Sequence, residues 1–418
     1  MPYEDWGDYR VGGLAVVYIG DILGDDKRYR IVHKLGYGGC ATVWLARDTK
    51  AERYVAIKIM KGEESSEDCL ELGMLEKLKG IKTEHPGYKH IAWALDHFWF
   101  KTYNGTHFCL VMPFVGPRVT DAWICNTLTG AFTRKIAYQT CQVLDFLHEN
   151  GVGHGDMDSP NVLLQLADID SWSEDDIYTR FGKPKTYPIT NAELYGGPGR
   201  PTYAVATIDM TAMDFSHLSD QIMVIDFGEA FDLDDAPGGV GTVMEYCSPE
   251  LLLEDKASKA SDVWALGCTL FSIRTSRSLF EGFFGDENQV LEQIVGLLGK
   301  LPDRLWSLWG GRSSAYDENG VPKPTEEDGK PIISKAFTLK DLMREPAQRF
   351  PRQGAARQKP EEEVIIISPE EIEVFSDLLL QMLEMDPDKR ISVKKVLEHP
   401  WFKQDFDEIV PAGHHHHQ

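Results

Sequence analysis

The sequence lacks several features that would assign it to a large class of proteins. It has no apolar run close to the roughly 18 residues of a membrane span, and its acidic start at residues 3–6 does not resemble a signal peptide. It has no Cys-x-x-Cys pair for zinc or redox chemistry. Its seven cysteines are scattered, at positions 40, 69, 109, 125, 141, 247 and 268. An odd, dispersed set indicates reduced thiols, and therefore the cytosol or the nucleus.

Basic residues are scarce relative to acidic ones. The chain has 43 Lys and Arg against 66 Asp and Glu, which gives a net charge of −23. Such a surface would repel nucleic acid, so direct binding of RNA or DNA is not expected. It would attract basic protein partners and speed their encounter. The alternative is that the charge serves only solubility.

What the sequence does contain is the composition of a globular protein. Of its 418 residues 42% are hydrophobic, with 10 Trp, 19 Phe and 15 Tyr, and a chain of this length favours two lobes or domains over one. The run from His414 to His417 could bind metal, but we interpret it as the remnant of a purification tag.

The stretch from His154 to Asn161 has the composition of a phosphoryl-transfer loop. It lies between a helix-like and a strand-like segment, and it places Asp156 five residues before Asn161. The Asp can accept a proton from an attacking hydroxyl, and the Asn amide oxygen can hold a metal beside phosphates. Because so short a motif also arises by chance, the rest of the chain must supply a nucleotide site.

A glycine-rich hairpin precedes this loop in the sequence. Residues 29–47 alternate as two strands around a tip at 36–39, where glycines let the backbone approach a phosphate. An ordinary hairpin turn would contain the same glycines. The nucleotide interpretation depends on Lys58, which ends an apolar β-branched run, because a buried cation needs a partner. The spacing matches the kinase glycine loop and strand lysine, with Ala41 in place of the third glycine.

A helix predicted over 65–78 supplies candidate partners for Lys58. A pair of serines can cap it, and leucines recur on one face at helical spacing. Glu71 lies beside that face and is the predicted partner, with Glu67 and Glu76 as rivals.

The next buried strand, 108–112, ends at Pro113 in a Pro-Phe-Val-Gly-Pro segment that suits a connector between lobes. There the carbonyl of Pro113 and the N–H of Val115 could hydrogen-bond an adenine, since the first of these positions needs only to accept. Met112 would lie at the back of that pocket. The alternative is an ordinary core methionine.

A strand-like run that ends at Asp226 predicts a metal ligand. It follows an acidic and then Gly-, Pro- and Tyr-rich segment, 165–220, which we interpret as a partly flexible insertion rather than a domain. An Asp followed by Phe-Gly at the end of a buried strand is typical of residues that hold Mg²⁺ against phosphates. An Asp that caps a turn would look the same, but the loop at Asp156 and the upstream Lys58 favour the metal ligand.

Three further motifs follow. They are Ser-Pro-Glu at 248–250, Asp-Val-Trp at 262–264 and Asp-Pro-Asp-Lys-Arg at 386–390. With these residues, the chain resembles a eukaryotic protein kinase from about Arg28 to Phe402. In that family the Glu of the first motif pairs with the Arg of the last, and the Asp of the second braces the catalytic loop.

More narrowly, the chain resembles the SR-protein kinases (SRPK), in particular their fungal relatives. The matching stretches are the lead-in 12–21, the segment 104–107, the insertion, and the later segments 286–287 and 297–302. This resemblance implies an ATP-dependent Ser/Thr kinase that acts on basic, Arg/Ser-rich splicing factors and docks them near Asp286 and Glu287. We further expect a monomer, present in cytoplasm and nucleus, that contacts neither nucleic acid nor membrane directly.

The resemblance implies an α+β, bilobal protein kinase fold, with an antiparallel-sheet N-lobe that has one main helix and a mostly helical C-lobe. The predicted segments are the lead-in 1–26, the N-lobe 27–112, the hinge 113–116, the first part of the C-lobe with the catalytic loop 117–164, the insertion 165–220, the rest of the C-lobe with the activation segment 221–402, and the tail 403–418.

The resemblance also assigns roles to single residues, with ATP and Mg²⁺ as cofactors. Asp156, Lys58 and Asn161 are the predicted catalytic residues, and Asp156 would orient a Ser or Thr hydroxyl for in-line attack. Asn161 and Asp226 would hold Mg²⁺. The predicted ATP-binding residues are Leu35, Gly36, Gly38, Gly39, Val43, Ala56, Lys58, Glu71, Met112, Pro113, Val115, Leu163 and Asp226.

Besides Ala41, the sequence departs from the family at four positions. Asp158 stands where the family has a Lys that contacts the transferred phosphate, and a second carboxylate there would repel that phosphate. Gly155 replaces the loop Arg, which argues against activation through a phosphorylated segment, and Met244 and Cys247 stand where SRPKs tend to carry Arg. Asp158 supports one alternative, a pseudokinase that binds ATP without efficient transfer. The spacing of His-Gly-Asp and Asn161 supports another, a small-molecule kinase, but such enzymes lack the three later motifs.

Overall fold

A computed structural model of the protein describes residues 2–121, 129–191, 196–210, 213, 215–282, 285–327, 329–332, 337–345, 347–348, 364–365 and 367–408. The described helices are α1 Leu70–Lys79, α2 Gly130–Glu149, α3 Glu174–Phe181, α4 Pro249–Glu254, α5 Lys259–Thr275, α6 Glu287–Leu298, α7 Asp303–Leu308, α8 Leu339–Arg344, α9 Pro369–Met382 and α10 Val393–Val396. The described strands are β1 Ile22–Leu23, β2 Tyr29–Tyr37, β3 Ala41–Asp48, β4 Arg53–Met60, β5 Asp96–Thr102, β6 Gly105–Pro113, β7 Val152–Gly153, β8 Val162–Leu166, β9 Thr186–Pro188, β10 Tyr203–Val205, β11 Leu218–Val224, β12 Phe231–Asp232, β13 Thr325–Glu327, β14 Lys330–Ile332, β15 Ala347–Gln348 and β16 Val364–Ile365. Within these described residues, no helix combines the length and the apolar character needed to cross a membrane.

The chain folds into two units. Unit 1 comprises residues 1–82, 92–117 and 164–219, and unit 2 comprises 83–91, 118–163 and 220–418. The residues of the predicted lead-in, 1–26, belong to unit 1, as do residues 165–219 of the predicted insertion. The short stretch 83–91, predicted inside the N-lobe, belongs to unit 2.

Unit 1 is built on a six-stranded antiparallel sheet, in the order β1-β2-β3-β4-β6-β5. The predicted hairpin is present as β2 and β3, and it closes through a hydrogen bond of 2.9 Å from the Gly38 N–H to the Ala41 carbonyl. Strand β4, which carries Lys58, pairs with β3 on one side and β6 on the other. Because β4 lies between two strands, the backbone around Lys58 is fixed from both sides.

The insertion contributes to the core of unit 1. On one face of the sheet Val205 of β10 joins the buried strand residues, and on the other face Ile177 and Phe181 of α3 pack with Tyr54. The Tyr54 hydroxyl donates to the Trp172 carbonyl at 2.6 Å. The acidic and Gly-rich composition did not indicate this role, because a few large apolar residues spaced among acids provide the contact.

Helix α1 begins later than the predicted helix over 65–78. Its N-cap is Cys69, and the two serines lie outside the helix. The Ser65 hydroxyl donates to the Lys61 carbonyl at 2.8 Å, and the Ser66 hydroxyl accepts a backbone N–H two residues further on. Both hydroxyls therefore serve the preceding loop instead of capping the helix.

Unit 2 is mostly helical, as predicted. A buried carboxylate ties three of its helices together: Glu371 of α9 accepts two hydrogen bonds of 2.8 Å from Arg274 of α5 and one of 3.1 Å from Arg134 of α2. Loss of the Glu371 carboxylate would leave two buried guanidinium groups without their anionic partner, which is strongly destabilising.

Candidate active site

In unit 1, Lys58 and Glu71 form an ion pair. The Lys58 ammonium lies 2.9 Å from a carboxylate oxygen of Glu71, and the Glu71 side chain is only 6% exposed. The rivals Glu67 and Glu76 are exposed, so the predicted pairing with Glu71 is the one present. The pair fixes a cation on the central strand of the sheet, where it could bind phosphate.

The glycines of the β2–β3 tip are not required by the packing of unit 1. A Cβ atom added at Gly36, Gly38 or Gly39 would meet no atom within 4 Å, and none of the three has a positive φ angle. Neither a close internal contact nor backbone strain therefore accounts for glycine here. Glycine at this tip also lets the backbone approach a ligand such as phosphate.

Five of the predicted ATP-binding residues share one face of the sheet. Val43 pairs with both Gly36 and Lys58, and Ala56 pairs with Met112. Directly paired residues point to the same face, as do residues two apart on one strand, so all five belong to one face. Each is half-buried, and together they form a partly exposed strip on unit 1.

The remaining predicted ATP-binding positions lie at strand ends or in unit 2. Leu35 is half-buried near the end of β2, Pro113 is the last residue of β6, and Val115 is buried two residues later. Leu163 belongs to unit 2, where it pairs with Arg118. The predicted set is thus divided between the two units.

In unit 2, Asp262 of α5 braces the loop that carries Asp156. Its carboxylate accepts hydrogen bonds from the N–H groups of His154 and Gly155 at 2.9 and 3.0 Å, and it lies 2.9 Å from His148 Nε2. Asp262 is 3% exposed, so the backbone of the loop is held from inside the unit. This is the bracing contact that the resemblance implied.

Gly155 adopts a conformation that excludes the arginine of the family at this backbone. Its φ angle is 78°, and a Cβ atom there would lie 2.4 Å from the Glu229 carbonyl oxygen. The Thr242 hydroxyl donates to the Gly155 carbonyl. A side chain at position 155 would therefore require the activation segment to move.

Asp156 and Asn161 are brought together by the loop. The Asn161 amide donates to the Asp156 carboxylate at 3.1 Å and to the Asp156 carbonyl at 3.0 Å. The Asn161 carbonyl accepts the Ile225 N–H at 2.9 Å, so the segment leading into Asp226 lies beside the loop. The acid and the amide predicted from sequence spacing are thus neighbours in space.

Asp158 forms a carboxyl pair with Asp156. The two carboxyl groups hydrogen-bond each other, with Asp158 as the proton donor. Burial, followed by the charge of Asp156, raises the pKa of Asp158 to about 8, while burial also raises the pKa of Asp156. The sequence indicated that a second acid is present, but it did not indicate that the two acids share a proton.

Asp226 completes the acidic group in unit 2. Its φ angle is 62°, its carboxylate accepts the Gly228 N–H at 3.2 Å, and its charge raises the pKa values of both Asp156 and Asp158. Carboxylate and amide oxygens are the ligands that Mg²⁺ prefers. The oxygens of Asp226 and Asn161 are of the type that fits a Mg²⁺ ion, and the two residues remain the predicted ligands.

Another predicted motif pair is also present in unit 2. Arg390 donates to both carboxylate oxygens of Glu250, at 2.6 and 3.1 Å, and both side chains are fully buried. This two-point contact ties the start of α4 to the segment before α10.

Sequence reasoning missed two hydroxyl contacts to the loop that carries Asp156. One comes from Thr242, and the other from Thr269, whose hydroxyl donates to the Met157 carbonyl at 2.9 Å. Neither threonine lies in a motif that would have revealed it.

Loops with this arrangement of acid, amide and bracing carboxylate hold the reacting groups of phosphotransferases. Comparison with family models agrees: the chain matches the protein kinase domain over residues 29–171 and 213–402. The chain belongs to the protein kinase domain family. The residues between the two matched parts fall within the insertion.

Individual relatives are distant and cover most of the chain. It is 29% identical to the serine/threonine-protein kinase SRPK of Physarum polycephalum, over 95% of this chain and 91% of that protein. It is 24% identical to the protein kinase dsk1 of Schizosaccharomyces pombe, over 97% and 86% of the two chains. It is 26% identical to the dual specificity protein kinase CLK2 of Homo sapiens, over 93% and 66%. The relationship therefore extends to the SRPK and CLK group and not to one family within it.

Proposed function

We propose that the protein is an SRPK-like kinase that transfers the γ-phosphate of ATP to Ser or Thr residues of basic, Arg/Ser-rich proteins in cytoplasm and nucleus. The observation that carries this proposal is the Asp156 carboxylate, held against the Asn161 amide at 3.1 Å on a loop braced by Asp262. A carboxylate so placed can accept the proton of an attacking hydroxyl.

In phosphoryl transfer, different residues would bind the phosphates, hold the metal and accept the proton. Lys58, fixed by Glu71, would hold phosphate oxygens, and the backbone at Gly38 and Gly39 would cover them. Asp226 and Asn161 would hold Mg²⁺, which neutralises charge on the phosphates when bound. Asp156 must be ionised to accept a proton.

An acidic group near α6 supports a basic substrate. Glu287 begins α6, and Asp286 caps it by accepting the Asn288 N–H at 3.0 Å. Burial, followed by the charges of Asp255 and Asp286, raises the pKa of Glu287. A substrate that carries arginines would relieve this repulsion, in line with the net charge of −23.

The test compares three peptides that differ only in the residue alternating with serine: arginine, lysine or glutamate. Each is incubated with labelled ATP, Mg²⁺ and either the wild-type protein or the variant Asp156→Ala. We expect label on the arginine peptide, at least about tenfold less on the lysine peptide because Arg makes two-point contacts with carboxylates, and none on the glutamate peptide. Equal labelling of the arginine and lysine peptides would support a kinase for basic substrates but not the Arg/Ser preference.

One observation favours a second candidate function. Asp158, at the position of the phosphate-contacting Lys of the family, favours a pseudokinase that binds ATP without efficient transfer. In that case none of the peptides would be labelled although ATP still bound, and wild type would not differ from Asp156→Ala.

A further inference from the structure

The activation segment, residues 226–250, lacks the charges that order a phosphorylated segment. It contains seven acidic residues and no Lys or Arg, and the loop that carries Asp156 has Gly155 where the family has an Arg. Phosphate groups order a segment by pairing with such cations, and acidic neighbours repel them. A contact of a different kind is therefore expected to hold this segment in place.

The hydroxyl groups of the segment are already bonded or buried. Thr242 donates its hydroxyl to the Gly155 carbonyl, and the Tyr246 hydroxyl lies 2.5 Å from the Ser159 hydroxyl. These two contacts tie the segment to the loop that carries the proposed proton acceptor. Ser248, the third hydroxyl residue between 226 and 250, is fully buried. Phosphorylation of any of the three would break a contact or bury a charge.

Glu229 links the start of the segment to its later part. Its carboxylate accepts the Gly241 N–H at 2.7 Å, twelve residues further along the chain. Its backbone carbonyl oxygen lies against Gly155, only 2.4 Å from the place of a Cβ atom there. Gly241 directly precedes Thr242, whose hydroxyl holds the Gly155 carbonyl. The carboxylate therefore fixes the residue next to the one that contacts the loop.

The absence of a side chain at Gly241 gives the carboxylate room. A Cβ atom at this position would lie 2.6 Å from Oε1 of Glu229, so the carboxylate would have to move. The φ angle of Gly241 is not positive, and backbone strain does not account for the glycine. Gly238 of the same segment differs in one respect: a Cβ atom there would meet no atom within 4 Å, and its φ angle is likewise not positive.

We propose that Glu229 is a positioning residue whose carboxylate holds the activation segment, and through Thr242 and Gly155 the loop of Asp156, in place of a phosphorylated residue. A hydrogen bond from a backbone N–H to a carboxylate is charge-assisted and stronger than a neutral one. The inference deepens the proposed function by describing how the same site is regulated. Its consequence for transfer rests on the proposed function, whereas the order of the segment does not.

The experiment measures hydrogen exchange of the peptides that contain Gly241 and Thr242, by mass spectrometry of the nucleotide-free protein. In Glu229→Ala we expect exchange at least about tenfold faster than in wild type, as for loss of a hydrogen bond to a charged group. Glu229→Gln keeps an oxygen that can accept the N–H and should restore slow exchange. Asp235→Ala removes an exposed acid of the same segment and should exchange as the wild type does.

The kinetic arm uses the arginine peptide. In Glu229→Ala kcat should fall at least about tenfold while the binding of ATP is unchanged, since Glu229 is not among the predicted ATP-binding residues. Glu229→Gln should recover kcat together with slow exchange. Wild-type protein treated with a protein phosphatase, which is then removed, should label the peptide as fast as untreated protein. A loss of labelling after this treatment would contradict the proposal.

Two further results would overturn it: unchanged exchange in Glu229→Ala, or equally fast exchange in the Ala and Gln variants. If Glu229→Ala fails to fold by circular dichroism, Gly241→Ala replaces it and Gly238→Ala is its matched control. Faster exchange in Gly241→Ala than in Gly238→Ala supports the proposal, and equal exchange in the two contradicts it. If exchange responds as expected but wild type labels no peptide, the proposed function alone fails.

Discussion

The two units each contain a close pair of ionisable side chains, and the two pairs are opposite in kind. In unit 1 Lys58 and Glu71 join a cation to an anion at 2.9 Å, so each charge is compensated by its partner. In unit 2 Asp156 and Asp158 join two acids that share one proton. The first pair is stable with both members charged, whereas the second is stable only with one member neutral or with a cation bound.

The difference shows that a residue beside a motif can change the charge of the site although the motif residue itself is kept. Lys58 and Glu71 follow the pattern of the family, and their geometry is complete within unit 1. Asp156 follows the pattern, but Asp158 does not, and the departure changes the charge around the reacting group. The predictions below alter one pair at a time.

The largest effect is expected from Asp156→Ala, which removes the proposed proton acceptor. Phosphate transfer to the arginine peptide should fall about 10²- to 10⁴-fold, the contribution of a positioned general base. Binding of ATP, measured by calorimetry, should remain largely intact because Asp156 is not expected to hold the nucleotide. Transfer at the wild-type rate would contradict the role of Asp156.

A smaller loss of transfer is expected from Lys58→Met, which removes the cation of the unit 1 pair. The value of kcat/KM should fall about 100-fold, comparable to removal of one electrostatic contact with the transition state. Glu71→Gln leaves the Lys58 charge without its anionic partner and should lower kcat/KM less than Lys58→Met does. Equal losses in both variants would indicate that Lys58 works only when Glu71 holds it in place.

The smallest effect concerns stability and has a defined dependence on pH. A carboxyl group whose pKa is about 8 when folded and about 3.9 when unfolded stabilises the fold fully below pH 4, and this contribution is lost as the pH rises through 8. Asp158→Asn has no such group. Its free energy of unfolding relative to wild type should therefore rise between pH 5 and pH 8, by at least about 1.4 kcal/mol, which corresponds to one pKa unit.

This prediction is checked by urea unfolding of both proteins in EDTA at the two pH values. The chelator removes any bound metal, so the carboxyl pair is measured alone. An identical difference between the two proteins at pH 5 and pH 8 would show that the Asp158 carboxyl does not titrate in this interval.

The sequence predicted the antiparallel sheet of unit 1, the mostly helical unit 2 and the pairing of Lys58 with Glu71. Glu71 could be chosen over its rivals because helical spacing places it beside a buried face, and Asp156 and Asn161 because their spacing is typical of one loop. The sequence could not predict the shared proton of Asp156 and Asp158. Whether two acids two residues apart touch depends on the loop conformation. Asp262, distant in the sequence, and Gly155, within the loop, impose that conformation.

The insertion shows a second limit of sequence reasoning. Its charged composition predicted flexibility, whereas Trp172, Ile177 and Phe181 contribute to the core of unit 1. Composition averages over a segment, but burial requires only a few large apolar side chains at suitable positions.

The place of α3 against the sheet also affects how the chain folds during synthesis. Strand β6 ends at Pro113, but Phe181, which covers one face of the same sheet, leaves the ribosome about 70 residues later. At a synthesis rate of roughly 5–20 residues per second, Phe181 emerges on the order of 4–14 seconds after Pro113. During this time Leu45 and Tyr54 are exposed on the nascent chain. A nascent chain that stops before the insertion therefore presents an uncovered apolar sheet face to chaperones.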